Sequence, residues 1–202
     1  MKNRKKYYMI MLPSLVLAIL ISYMLPTEQK YWGLSVIIIG WVVYYFIKQN
    51  LGQHSALLTR EIKKTINYNF YIDIDLVDYM AFIDPTRFEI SIRMFSMDKE
   101  ASEVFYEGED KTIFSGSTQV IPDIKYFQLS RENKKKFDEF YENNDIEIER
   151  EEHKAFTEWF YECWKAAQGH KMNLPSYFVI HDHYKSLDLR ANKWISDDEK
   201  WE

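Results

Sequence analysis

YWGLSVIIIGWVVYYFI, residues Tyr31 to Ile47, contains seventeen residues and no charge. Its reading decides the fold, because a helix needs roughly 20 apolar residues to cross a hydrocarbon core about 30 Å thick. The preceding stretch strengthens the case. YYMIMLPSLVLAILISYML, Tyr7 to Leu25, is nineteen residues without a charge, and only PTEQK, Pro26 to Lys30, separates the two runs. A secretory signal peptide would explain Lys2, Arg4, Lys5 and Lys6 at the start. The first run is too long for such a peptide's apolar region, however, and neither a small-residue cleavage site nor a polar mature segment follows it.

The pattern predicts a transmembrane hairpin over residues 1–48, with helices at about 7–25 and 31–47. Tyrosines and tryptophan gather at the ends of the runs, where amphipathic rings favour the headgroup layer. Lys48, Arg60, Lys63 and Lys64 follow the second run and four basic residues precede the first, whereas the loop between has Lys30. By the positive-inside rule, both termini are expected in the cytoplasm of a bacterial inner membrane. A juxtamembrane helix is expected over residues 49–66, with Gly52 as its weak point, and one domain over residues 67–202.

The fold class expected for that domain is α+β: an antiparallel, strand-rich curved sheet or small barrel with two helices. Phe70, Ile72, Ile74 and Leu76 alternate with Tyr71, Asp73, Asp75 and Val77, and Phe88, Ile90, Ile92 and Met94 alternate with charged and polar neighbours. A period of two puts each apolar set on one face of a strand. Asp84 to Thr86 supplies the turn between them. Shorter strands are expected at Glu103–Glu107, Lys111–Phe114, Thr118–Ile121 and Lys125–Leu129. Helices are expected over Ser130–Glu142 and Arg150–Gln168, the second closed by Gly169. After Pro175, Tyr177, Val179, His181 and His183 share one strand face, Ser186 to Ile195 pairs with that strand, and SDDEKWE frays.

Net charge is −5, and because the hairpin is basic the domain is more acidic still. That balance argues against an extended nucleic-acid surface. The single cysteine, Cys163, permits no intramolecular disulfide. No phosphate loop, HExxH, GxSxG or CxxC motif is present, so no catalytic residue, cofactor or metal is assigned and an enzyme is not expected. His181 and His183 lie two apart, as two ligands of one metal would on a strand, with His153, His170 or a carboxylate as a third. Outward-facing polar positions explain them as well. Asp73 and Asp75 read more simply as cross-strand partners of Arg87 or Arg93 than as cation ligands, and Cys163 reads as core packing on a helix. The residues able to grip an anion are Arg87, Arg93, Lys125, Lys185 and Arg190, with Tyr126, Tyr184 and Trp194 offering faces on which a base can stack.

A two-helix membrane hairpin followed by a compact β-rich domain resembles bacterial anti-phage membrane effectors. These are the two-transmembrane β-rich effectors of cyclic-oligonucleotide signalling (CBASS) and the membrane effectors associated with CRISPR systems and retrons. The resemblance implies that the domain senses a signal such as a cyclic nucleotide, forms a homo-oligomer and drives the hairpins to disrupt the lipid bilayer. A membrane-anchored immunity or inhibitor protein, binding a toxin or another partner protein, is the alternative.

Overall fold

The computed structural model describes residues 40–41, 43–127, 141 and 144–201. The first apolar run, most of the second, and the helix expected at Ser130–Glu142, except Tyr141, therefore lie outside the described residues. Among the described residues, no helix is long and apolar enough to cross a membrane.

The domain is α+β. Six strands form an open mixed sheet in the order β5-β3-β2-β6-β7-β8. They are β2 (Leu76–Asp84), β3 (Glu89–Met97), β5 (Ser117–Lys125), β6 (Ser176–Ile180), β7 (Lys185–Asp188) and β8 (Lys193–Ser196). Neighbours pair antiparallel except β2 and β6, which run parallel. This corrects the expectation of an antiparallel sheet or closed barrel. β5 and β6 are joined through the long helix α3 (Asp145–Ala166), and a connection containing a helix allows two strands to run the same way. A two-residue parallel pair, β1 (Asn69–Phe70) with β4 (Ile113–Phe114), stands apart from the main sheet.

Alternation sets the core side of β2 and β3. Val77, Tyr79 and Ala81, with Ile90, Ile92 and Met94, are all fully buried. They pack beneath α3 and α2 (Ser55–Ile66), which contribute Phe156 and Phe160, and Leu58 and Ile62. Phe160 stacks on Phe178 of β6, with ring centroids 4.4 Å apart. Tyr79, though buried, keeps its hydroxyl satisfied at 2.7 Å from Thr65 Oγ1. Cys163 is buried, as core packing requires, and burial pushes its thiol pKa up. In β5 the consecutive residues Val120 and Ile121 are both buried, because the pairing with β3 shifts register on both sides of Ile92. Such bulges re-aim side chains, and Pro122 is tolerated because β5 is an edge strand. The turn at Asp84 forms as expected, with Oδ1 accepting from the backbone N–H of Thr86 and Arg87.

Several expectations are revised. The alternation from Phe70 is not one strand: β1 ends at Phe70 and β2 begins at Leu76, leaving Ile72 89% exposed in a turn. Asp75 Oδ2 accepts the backbone N–H of Lys99 instead of pairing across a sheet. The segment expected as strand at Glu103–Glu107 retains a single bridge, Met97 with Glu103. The strand expected at Thr118–Ile121 extends to Lys125 as β5, and of the one expected at Lys125–Leu129, Tyr126 and Phe127 are not strand while residues 128–129 lie outside the described residues. The expected 49–66 helix is interrupted at residues 53–54, which separate helical residues 43–52 (α1) from α2. Gln168 adopts the left-handed conformation that ends α3, with φ of 64°. Gly169 serves another purpose: a Cβ there would lie 2.1 Å from the Trp164 ring. The C-terminal segment forms a short helix, α4 (Asp197–Trp201), and Lys200 makes a buried ion pair with Asp78 of β2.

α1 joins this core directly. Val43, Ile47 and Leu51 are buried, while Tyr45 and Phe46 are 45% and 47% exposed. The last turn of the Tyr31–Ile47 run therefore presents one side to the domain. Tyr44 Oη donates to Glu158 Oε2 at 2.5 Å, and Lys48 Nζ lies 3.0 Å from the same oxygen.

Candidate functional site

A cleft of about 730 Å³ lies between one flank of α3 and the β6–β7–β8 side of the sheet, and three of the predicted residues line it. Helix α3 buries Ala155, Phe156, Trp159, Phe160 and Cys163 in the core. His153, Lys154, Thr157, Glu158 and Tyr161, at offsets of three and four residues, consequently share its flank and line the cleft. His183, Tyr184, Lys185 and Trp194 line the opposite wall.

The wall is aromatic and cationic. His183 stacks on Tyr184 with ring centroids 5.0 Å apart, and Trp194 lies 6.1 Å from His183. The Lys185 ammonium sits 5.4 Å from the Tyr184 ring. From the helix side, His153 meets His183 edge to face at 5.8 Å. Burial holds the His153 imidazole below its usual range; nearby Glu149 opposes this and His183 reinforces it. His153 is therefore neutral at pH 7, able to donate at one nitrogen and accept at the other. Thr157 Oγ1 is buried without a hydrogen-bond partner. Tyr184 and Trp194 are 68% and 42% exposed, which leaves both rings accessible from the cleft.

This geometry divides the predicted site residues. Tyr184, Lys185 and Trp194 come together in the cleft. Arg190 belongs to a neighbouring recess, where its Nη2 donates to the carbonyls of Met172 and Leu174. Arg87 pairs with Glu89 at 2.8 Å and approaches Asp84. Lys125 is exposed at the end of β5, and Arg93 is exposed on the sheet face turned away from α2 and α3. Tyr126 is fully buried and meets Phe156 edge to face, so it offers no face to a ligand. The eight residues do not form one site.

His181 and His183 do not share a face. β6 ends at Ile180 and Asp182 has a φ of 65°, which turns the chain. His181 lies on Phe82 at 4.8 Å, while His183 enters the cleft. Among the described residues, no group of three metal-ligating side chains is placed to hold a metal ion.

Arg150, Lys154, Thr157, Glu158 and Tyr161 were not singled out from the sequence as cleft residues. Their spacing at 150, 154, 157, 158 and 161 was the available signal: a polar stripe beside the apolar stripe of the same helix. Two of them also reach α1. Glu158 accepts from Tyr44 and Lys48, and the Lys154 ammonium sits 5.2 Å from the Tyr44 ring centroid. Burial would raise the Glu158 pKa, but its hydrogen bonds with Tyr44 and Lys48 outweigh burial and hold it below the usual range. No family model matches the chain, nor does any curated protein or solved structure.

Proposed function

We propose that this chain is a membrane-anchored effector of a bacterial anti-phage defence system, and that the cleft between α3 and β6–β8 receives its signal, a cyclic nucleotide. The observation that carries the reading is the convergence of Tyr184, Trp194 and Tyr161 with Lys185, Lys154 and Arg150 around one cavity. Aromatic faces accept any nucleobase, and ammonium and guanidinium groups bind phosphate oxygens. The neutral His153 and the unpartnered Thr157 hydroxyl supply the directional hydrogen bonds that fix a base edge.

Output runs through α1. Glu158 and Lys154 line the cleft and also contact Tyr44, in the last turn of the second apolar run. An anionic ligand attracts Lys154 and repels Glu158, which shifts the contacts that hold Tyr44 and Lys48. Reorientation of α1 then favours association of the hairpins in the inner membrane and its disruption. Binding shifts that equilibrium to the extent that the assembled state binds the ligand more tightly.

The test uses the full chain in detergent and a panel of cyclic di- and trinucleotides, read by tryptophan fluorescence. One of them should quench the wild type, and Trp194→Ala and Lys185→Glu should abolish the response. The same ligand, made in cells expressing the protein, should admit propidium iodide. A panel with no binder, together with cells that stay sealed, would refute the reading. A protein-binding role as an immunity or inhibitor protein is favoured by a different observation: Phe82, Phe95 and His181 form a ring cluster on the sheet face turned away from α2 and α3. Protection against a toxin, lost in Phe82→Asp, would establish that role instead.

A further inference from the structure

We infer that a second recess, at the C-terminal end of α3, is a binding site for a phosphate group distinct from the cleft. It encloses about 740 Å³ and has Lys165, His170, Lys171 and Arg190 in its wall, with Trp164 and Tyr161. Its wall contains no carboxylate among the described residues, although the chain as a whole has a net charge of −5. Three separate segments supply the cations, Lys165 from the last turn of α3, Lys171 from the 3-10 turn Gly169–Lys171 and Arg190 from the stretch after β7, and His170 adds an imidazole beside Lys171.

The negative end of a helix dipole accounts for a lysine in the last turn, such as Lys165. It does not account for His170, Lys171 and Arg190, which lie beyond the helix. Arg190 is pinned by the carbonyls of Met172 and Leu174. Its guanidinium carries five N–H groups, so two carbonyls fix its plane without exhausting it. The second pointer is Trp164, which is 2% exposed and whose Nε1 has no hydrogen-bond partner. A buried indole N–H ordinarily finds an acceptor. The Trp164 ring lines the recess, and the neighbouring Lys165 ammonium is held 4.5 Å from the Tyr161 ring centroid.

The chemistry suits a phosphate ester, whether carried by a soluble molecule or by a lipid headgroup. Position favours the soluble source. α1 runs beside α3 with Gly40 against Glu151 and Lys48 near Glu162. The recess at Lys165 is therefore about 20 Å along the helix from where residue 40 enters the domain. This last step alone rests on the proposed membrane anchor; the anion site does not.

Inorganic pyrophosphate is the probe, titrated into the full chain in detergent and read as a rise in thermal midpoint. Wild type should respond, and Lys165→Ala/Lys171→Ala should bind roughly tenfold more weakly, or worse, as two charge-assisted contacts are lost. Lys165→Arg/Lys171→Arg should retain binding, and Trp194→Ala, which tests the cleft, should leave it unchanged. An equal response from the alanine double variant, or an equal response of the wild type to chloride at matched ionic strength, would overturn the site. Loss of pyrophosphate binding in Trp194→Ala would overturn its independence from the cleft. Competition by short-chain phosphatidylglycerol at equal concentration would overturn the soluble source.

Discussion

Replacing Glu152 by Gln should stabilise the protein at pH 8 and do so much less at pH 5. Glu152 projects from α3 and is 3% exposed, with Tyr141 Oη donating to its Oε2 at 3.0 Å. Burial raises its pKa from 4.5 to about 7; the Tyr141 and Tyr126 hydroxyls pull it down and Glu149 pushes it up. The folded state thus holds a proton that the unfolded chain releases. Stability from this group is fully present below about pH 4.5 and is lost as pH rises through about 7. At 1.36 kcal/mol per pH unit, the cost of ionising Glu152 in the folded protein at pH 8 is about 3 kcal/mol. Glutamine keeps an acceptor for Tyr141 and cannot ionise. For a chain of this size the gain corresponds to roughly 6–12 °C in Tm at pH 8. Differential scanning calorimetry of wild type and Glu152→Gln at pH 5 and pH 8 measures it. Equal Tm differences at the two pH values would show that Glu152 does not titrate in this window and would refute the reasoning.

Lys200→Met should cost about 3–5 kcal/mol, because it leaves the Asp78 carboxylate buried without its cation; Asp78→Asn/Lys200→Met should recover most of the loss in urea melts. Gly169→Ala should destabilise by about 1–3 kcal/mol, since the new Cβ meets the Trp164 ring and must displace it, visible both in melting and in tryptophan emission. Glu158→Gln should change stability by about 1 kcal/mol or less, because Glu158 and its partner Lys48 are 41% and 35% exposed. In the proposed effector it should nevertheless uncouple ligand binding from dye entry: nucleotide quenching persists and propidium iodide uptake falls. Parallel loss of both signals would place Glu158 in the binding surface alone.

The sequence pattern served best where one physical rule acted alone. Ile90, Ile92 and Met94 were legible as a strand face because alternation continued on either side and Asp84 supplied a turn before it. The same rule failed at Ile72, where turn-forming Asp73 and Asp75 broke the strand that the apolar spacing suggested. The parallel pairing of β2 with β6 was illegible for a different reason. Nothing in either strand encodes a partner a hundred positions away, and the pairing depends on where α3 returns the chain. Likewise Tyr184, Lys185 and Trp194 were recognisable as residues that bind rings and phosphates. Their assembly with His153 and Tyr161 depended on packing the far side of α3 against Phe178 and Tyr79. The tail SDDEKWE looked frayed because charge dominates it, and the buried partner that orders it, Asp78, lies 122 positions earlier.

That separation gives the latch a place in time. A ribosome adding 5–20 residues per second needs about 6–24 s to travel from Asp78 to Lys200. Within that interval, once Ser117–Lys125 has been made, β2, β3 and β5 can pair as a local meander. The parallel edge of β2 meanwhile awaits Ser176–Ile180, and Asp78 awaits its lysine. A nascent chain therefore passes through a half-sheet with one bare edge and one unmatched carboxylate. Ser176–Ile180 and then Lys200 close it.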